Sequence, residues 1–437
     1  MPSFVKNPFE SLDFGGKRTA VVSLGCSRNT VDSEVFLQAA RKRGAIACSL
    51  DRAELVLVNT CAFTQEAKEE SLRCIQELRG QKRAGEKVLR VIVLGCLAKR
   101  YEAELRRDLE DVTILGMTAD FKDRRDFEPD ALRLTPRHSA YLKISEGCSN
   151  RCTFCAIPMI KGTLRSRRVS GIVEEAGFLE GQGVKELNII GQDITLFGFD
   201  RPARRSGLPL VRLLKKLLKE TSIPWIRLLY LHPRRVTDEL IDLMAKEKRI
   251  CPYLDIPLQH IHERILKLMG RQMKTKDILR LIARLRLSLP GAALRTTFIA
   301  GFPSETDREF RELLDFVREA KLDKVGVFPY SREEGTAAYL LKKQVPDREK
   351  ARRYDELMRL QREISAQMLK RKVGSVIDVL VDEKTGDGTI FLARTAWDAP
   401  EVDGVLTLKS SRKLAPGSMV RCRVTDSYEY DLTGEAL

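Results

Sequence analysis

Three cysteines stand within one stretch of eight residues, Cys148-Ser149-Asn150-Arg151-Cys152-Thr153-Phe154-Cys155. Thiolates suit iron–sulfur clusters and zinc, and three this close can wrap one small metal centre. No fourth Cys and no His stands nearby to complete a closed tetrahedral zinc site. On a 4Fe–4S cube, three protein ligands leave one iron open for a further ligand. Adjacency this tight is rarely a matter of core packing.

A second set is spread out. Cys26, Cys61 and Cys96 are separated by 35 residues and again by 35, and each follows an apolar run, at residues 21–25, 55–60 and 91–95. A free cysteine after such a run is ordinarily a core residue. Together the three share one address, the carboxyl edge of a sheet, where open α/β folds bind ligands. A second three-thiolate cluster with an open iron is the functional reading. Cys48, Cys74, Cys251 and Cys422 have no partners by spacing and read as structural.

The elements that must position these thiols fall into three series. The runs ending at the first triad lack alternation, as strands buried on both faces do, and helical stretches at 31–43 and 64–79 lie between them. That is βαβ architecture, an open parallel α/β sheet. A polar stretch at 120–138, with Pro129 and Pro136, reads as a linker. Strand patterns then follow at 141–145, 186–190, 225–231, 253–256, 294–300 and 324–328, most of them separated by helical patterns. Six βα units make a partial (βα)6 TIM-like barrel, with Cys148, Cys152 and Cys155 at the carboxyl end of its first strand. A charged helix at 347–372 leads to short strands at 376–381, 389–392, 405–408 and 419–424, the pattern of a small β-barrel.

Composition sets the outer limits. The chain has 437 residues, 43% hydrophobic and 32% charged, which suits a globular protein and excludes a disordered or fibrous one. No apolar run approaches a membrane span, and the first sixteen residues lack a secretory signal's apolar segment, so a cytosolic protein is expected. Cysteines in that compartment stay reduced and serve metals or catalysis. The net charge is +16, yet residues 373–437 hold 7 Lys and Arg against 11 Asp and Glu, a net of −4 on a body of +20.

Other residues are ambiguous as bare sequence. Gly191-Gln192-Asp193 and Gly301-Phe302-Pro303 end barrel strands, as turn residues or as contacts to a nucleoside-like cofactor. His260 and His262 read first as satisfied structural histidines and second as polar lining of the barrel mouth. Arg165-Ser166-Arg167-Arg168 reads as a solvated basic run or a docking point for substrate.

The chain resembles the radical S-adenosylmethionine (SAM) methylthiotransferases. Cys148-x3-Cys152-x2-Cys155, with Phe154 before the last Cys, is similar to the radical SAM signature. Ser23-Leu24-Gly25-Cys26, Asn59-Thr60-Cys61 and Gly95-Cys96-Leu97 resemble the family's N-terminal domain, and the C-terminal strands resemble a TRAM domain. The likeness runs from about residue 17 to the end, and implies domains at 17–130, 134–367 and 369–437. Val31-Asp32-Ser33-Glu34, Tyr330-Ser331-x3-Gly335-Thr336 and Asp398-Ala399-Pro400-Glu401-x-Asp403-Gly404 fit the branch acting on a small-subunit ribosomal protein. Three departures from the usual pattern are Ser27-Arg28 for Pro-Lys, Lys161 for an Arg before Gly162, and Pro329 for a Thr.

The resemblance implies two 4Fe–4S clusters, an auxiliary one on Cys26, Cys61 and Cys96 and the radical SAM one on Cys148, Cys152 and Cys155, with SAM as cofactor. Gln192, Asp193 and Gly301 are the candidate SAM contacts, and no catalytic side chain is expected beyond the cluster ligands. By family likeness a SAM-derived radical removes hydrogen from the β-carbon of an aspartate in small-subunit ribosomal protein twelve, and that carbon captures methylthio sulfur held at the auxiliary cluster. Expected partners are this protein or the ribosome and an external electron donor, with no membrane. The rival substrate is a tRNA adenosine, which the acidic C-terminal module would repel. A non-enzymatic iron–sulfur or zinc protein that binds RNA would cleave no SAM, and explains the open-site triad poorly.

Overall fold

Six consecutive buried residues, Leu55–Thr60, form the middle of the first sheet, and the unbroken apolar run from Leu55 to Val58 is what a strand covered on both faces requires. The computed structural model describes residues 8–81, 88–116, 133–202, 207–386 and 388–437. Strands β1 (Arg18–Ser23), β2 (Ile46–Ala47), β3 (Leu55–Thr60), β4 (Arg90–Leu94) and β5 (Thr113–Ile114) make a sheet of order β2-β1-β3-β4-β5, parallel throughout. Helices Ser27–Lys42 and Gln65–Leu78 are its main crossovers. The two-residue strands β2 and β5 are too short to leave a pattern in the sequence. Register aligns Ser23 with Asn59 and Asn59 with Leu94, so β1, β3 and β4 end level.

The second series begins with β6 (Ser139–Lys143); β7 (Ser145–Glu146) and β8 (Arg165–Ser166) flank the cysteine loop. The series continues through β9 (Glu186–Ile190), β10 (Trp225–Leu228), β11 (Ile250–Asp255), β12 (Ala293–Ala300) and β13 (Lys324–Pro329). The six long strands pair in the order β6-β9-β10-β11-β12-β13, all parallel, which is the partial barrel the sequence implies. Helices Pro209–Glu220, Thr275–Ser288 and Asp307–Ala320 cover it with Leu210, Leu213, Leu285, Phe310 and Leu313 among the core. Of the linker expected at 120–138, residues 120–132 lie outside the described residues.

The C-terminal strands β14 (Val376–Thr385), β15 (Ile390–Thr395), β16 (Leu406–Lys409), β17 (Met419–Ser427) and β18 (Leu432–Ala436) close into a barrel. The fifth strand, β18, leaves no clear pattern in the sequence because Gly434 interrupts it; that glycine sits against the Cys422 sulfur in the barrel core. By packing, one unit comprises residues up to Thr135 with Glu146–Ser149 and Cys155–Thr163, and the other comprises Pro136–Ser145, Asn150–Phe154 and Leu164–Leu437.

Within the second unit the small barrel meets the amino ends of the large barrel's strands through buried charge. Glu186, at the start of β9, accepts from Arg227 at 2.8 Å and from Arg394 at 2.7 Å. His138 Nε2 meets Asp382 Oδ1 at 2.8 Å, Lys324 meets Asp398 at 2.6 Å, and the Tyr253 hydroxyl donates to Asp403 at 2.7 Å. These acidic groups of the C-terminal module therefore face inward. Among the described residues, its exposed acids Asp378, Glu383, Glu401, Asp426, Glu429 and Glu435 are matched by exposed Lys384, Lys409, Arg412, Lys413, Arg421 and Arg423. Among the described residues the net of −4 is thus not an outward acidic face, and the charge count does not support repulsion of a nucleic acid or attraction of a basic protein.

Candidate functional site: two thiol triads

The first triad is assembled by strand ends. Cys26, Cys61 and Cys96 follow β1, β3 and β4, three neighbouring strands that end at the same level. Two glycines make the close approach possible. A Cβ on Gly25, at φ +90°, would stand 2.8 Å from the Cys61 sulfur, and one on Gly95, also at φ +90°, would stand 2.2 Å from Asn59 Oδ1 and 2.7 Å from the Thr60 carbonyl oxygen. Asn29 laces the strand ends together, its Nδ2 donating to Leu24 O at 2.8 Å and Thr60 O at 3.0 Å while the Cys96 thiol donates to its Oδ1 at 3.8 Å. Ser71 Oγ accepts from the Cys61 N–H at 3.0 Å.

The three thiols differ in how readily they ionise. Burial works to raise Cys26, but the Arg28 guanidinium outweighs it, with Nε–H donating to the sulfur at 3.3 Å, and holds the thiol below its ordinary range. Burial, helped by the neighbouring Cys26, raises Cys61. Burial pushes Cys96 up to about 12 despite the pull of the Lys161 ammonium. Cys61 and Cys96 therefore give up their protons less readily than Cys26, and an arriving metal cation favours the thiolate at each.

The second triad is carried by the loop itself, and each part of the loop is tied down. The Cys148 N–H donates to Gly162 O at 3.1 Å. Thr153 donates to Met269 O at 3.0 Å and Leu268 O at 2.7 Å, and its carbonyl accepts from Ala338 at 2.8 Å. Asn150 Nδ2 donates to Asp193 Oδ2 at 2.7 Å. Phe154 packs against Ile265, Met269, Phe302 and Tyr330. Arg271 Nη1–H donates to the Cys152 sulfur at 3.8 Å and Nη2–H to the Pro257 carbonyl. Sequence reasoning missed this arginine, which stands 119 residues from its cysteine in no recognisable motif.

The remaining candidates sort clearly. Gln192 and Asp193 follow β9, and Asp193 caps the turn at Ile194–Leu196 by accepting from Thr195 N at 3.0 Å and pairs with Arg235. Gly301 follows β12, with its N–H donating to Glu305. His260 is fully buried against Glu305 and accepts from the His262 N–H, which makes it structural. Arg167 is buried on Glu175 at 2.6 Å and on Lys143 O, so it is neither solvated nor free to dock substrate. His232, unremarked in the sequence, is kept neutral: burial first, then Arg271, Arg235 and Arg234, push it down to about 2.

Both donor sets fit iron–sulfur clusters, being thiolate-only and three-fold. Among the described residues no three His, Cys, Asp or Glu side chains are gathered for a single metal ion. A cube takes each thiolate at a separate iron, so its ligands stand farther apart than those of one ion. Near the carboxyl ends of the barrel strands, Ser145 Oγ, Gln259 Oε1, Arg271 Nε and Tyr330 Oη are buried without hydrogen-bond partners. Such orphaned polar atoms are matched to a polar ligand such as SAM.

Three family matches span the chain: the Radical SAM superfamily at residues 142–317, Uncharacterized protein family UPF0004 at 18–116, and the TRAM domain at 373–437. A solved radical SAM methyltransferase, TsrM from Kitasatospora setae with cobalamin and a [4Fe-4S] cluster bound, shares the fold at TM-score 0.50 and 15% identity, covering 92% of this chain and 84% of that one. By its relatives and its radical SAM domain, the protein is a SAM-dependent radical transferase whose cofactors are 4Fe–4S clusters and SAM. Among its relatives, the ribosomal protein uS12 methylthiotransferase RimO of Pelotomaculum thermopropionicum is 44% identical over 97% of this chain and 100% of its own length. That of Geobacter sulfurreducens is 40% identical over 96% and 99%. The chain belongs to the RimO family of ribosomal protein uS12 methylthiotransferases. Among the described residues no helix is long and apolar enough to cross a membrane.

Proposed function

We propose that the enzyme adds a methylthio group to the β-carbon of an aspartate in ribosomal protein uS12. The observation that carries this reading is the presence of two separate three-thiol sets in one chain, one at the carboxyl ends of β1, β3 and β4 and one in the loop after β6. Cys148, Cys152 and Cys155 are assigned to the cluster that takes SAM, and Cys26, Cys61 and Cys96 to the auxiliary cluster. When bound, these groups supply radical formation at one site and methylthio sulfur at the other. The chain's own residues hold the cysteine loop through Thr153 and Asn150, keep Arg271 beside Cys152, and hold His232 neutral. Gln192, Asp193 and Gly301, at the ends of β9 and β12, are assigned to the SAM side of the barrel.

The substrate assignment rests on relatives that act on uS12, and not on the charge of the C-terminal module. The three expected domains, 17–130, 134–367 and 369–437, an external electron donor, and action in the cytoplasm on uS12 or the ribosome complete the reading. The test is a competition. Reconstituted enzyme with SAM and reductant is given uS12 and unmodified tRNA together, and products are read by mass spectrometry. A methylthio group on a uS12 aspartate is expected; modification of a tRNA adenosine would overturn the substrate while keeping the chemistry.

A further inference from the structure

Lys161 and Asp32 are both almost wholly buried, with Lys161 Nζ 2.6 Å from Asp32 Oδ2 and side chains 2% and 1% exposed. A buried ion pair is weak as a stabilising device, because taking two charges out of water offsets most of their attraction. Its location is informative. Asp32 lies on helix Ser27–Lys42, which begins directly after Cys26, one turn beyond the Asn29 that contacts Cys96. Lys161 ends helix Ile157–Lys161, whose Ile160 belongs to the same apolar cluster as Cys96, Leu97 and Ala98. The ammonium interacts with Asp32, Glu146 and the Cys96 sulfur. The pair therefore joins the helix after Cys26 to the helix after Cys155, beside the third thiol.

We infer that Lys161, held by Asp32, is a positioning residue that keeps a fixed positive charge against the Cys96 edge of the N-terminal triad and thereby sets how readily the cluster there accepts an electron. This rests on the reading that Cys26, Cys61 and Cys96 hold a 4Fe–4S cluster. Such a cluster on three thiolates carries one negative charge when its core is 2+ and two after reduction. A buried cation favours the second state, and little solvent screens it. Arg28 serves the Cys26 edge in the same sense but is partly exposed, so its effect is weaker.

The two members of the pair must then act in opposite directions. Lys161→Met removes the cation and leaves a buried carboxylate, so reduction becomes harder. Asp32→Asn removes the closest negative charge and leaves the cation with Glu146, so reduction becomes easier. Lys161→Arg keeps the charge, and the double variant Lys161→Met with Asp32→Asn removes both charges, so each stays near the parent. The experiment is a redox titration followed by electron paramagnetic resonance. It uses the full chain with Cys148, Cys152 and Cys155 replaced by Ala, so that one cluster is read.

At a fixed potential, a change of at least about tenfold in the reduced-to-oxidised ratio is expected for each single variant (about 59 mV for a one-electron couple), with opposite signs. Shifts of the same sign, or none, with parental iron content overturn the inference. If Lys161→Met does not fold, the sign for Asp32→Asn decides: an easier reduction supports it, and an unmoved or harder one overturns it. Absence of a cluster in the parent chain would instead overturn the underlying reading of the triad.

Discussion

The two thiol triads reach the same donor set by opposite routes. Cys148, Cys152 and Cys155 are neighbours in sequence, and their loop needs only to be pinned, through Thr153, Asn150 and the Gly162 carbonyl. Cys26, Cys61 and Cys96 are 35 residues apart and meet only because β1, β3 and β4 are parallel, adjacent and level at their ends. A local triad survives small errors in the fold around it, whereas an assembled one depends on every strand register beneath it. The assembled triad is accordingly the one laced by Asn29 and flanked by a buried ion pair, while glycines permit close approach at both triads, Gly25 and Gly95 at the first and Gly147 and Gly270 at the second.

The largest expected effect separates the triads by chemistry. Cys148→Ala should abolish reductive cleavage of SAM, read as deoxyadenosine formed, while the N-terminal cluster and about half of the iron remain. Deoxyadenosine at the parental rate would count against the loop as the SAM site. Cys61→Ala should do the converse, sparing cleavage and losing methylthio transfer in the mass spectrum of the product. Transfer at parental yield would reduce the first triad to packing.

A backbone change should then separate them by fold. Gly95→Ala drives a Cβ to 2.2 Å from Asn59 Oδ1 at φ +90°, a conformation costing about 1–3 kcal/mol for a residue with a side chain. Lower iron in the N-terminal triad is expected, with SAM cleavage retained; equal loss from both sites would break the distinction between assembled and local.

The smallest effect is one of reactivity in the iron-free chain. Arg28 holds Cys26 below its ordinary range, whereas burial pushes Cys96 up to about 12. The thiolate is the reactive form. On raising the pH, alkylation of Cys26 should therefore set in below the usual thiol range, and Cys96 should resist until far above it. Peptide mapping after timed alkylation gives both profiles. Arg28→Met should move the Cys26 profile upward, because the guanidinium that offsets burial is gone and only backbone N–H groups still oppose it.

The same contrast governs what the sequence discloses. The loop triad is written within eight residues, and β3 is legible because Leu55, Val56, Leu57 and Val58 form an unbroken apolar run, with Asn59 and Thr60 buried beyond it. The assembled triad is legible from its spacing together with its place after each strand. What joins distant elements leaves no such trace. Lys161 and Asp32 are 129 residues apart on different helices, and Arg271 and Cys152 are 119 apart in different loops. The inward turn of Asp382, Asp398 and Asp403 is invisible to a charge count, which treats every carboxylate as exposed. The strands β2 and β5, two residues each, are made by the sheet edges they join rather than by their own pattern.

The most direct measurement is the iron content and Mössbauer spectrum of three reconstituted full-length proteins: the parent, the chain with Cys26, Cys61 and Cys96 replaced by Ala, and the chain with Cys148, Cys152 and Cys155 replaced by Ala. Two independent cluster sites require each triple variant to keep about half of the parental iron as a 4Fe–4S signal. Full iron in the first variant, or none in either, would contradict the assignment of one cluster to each triad.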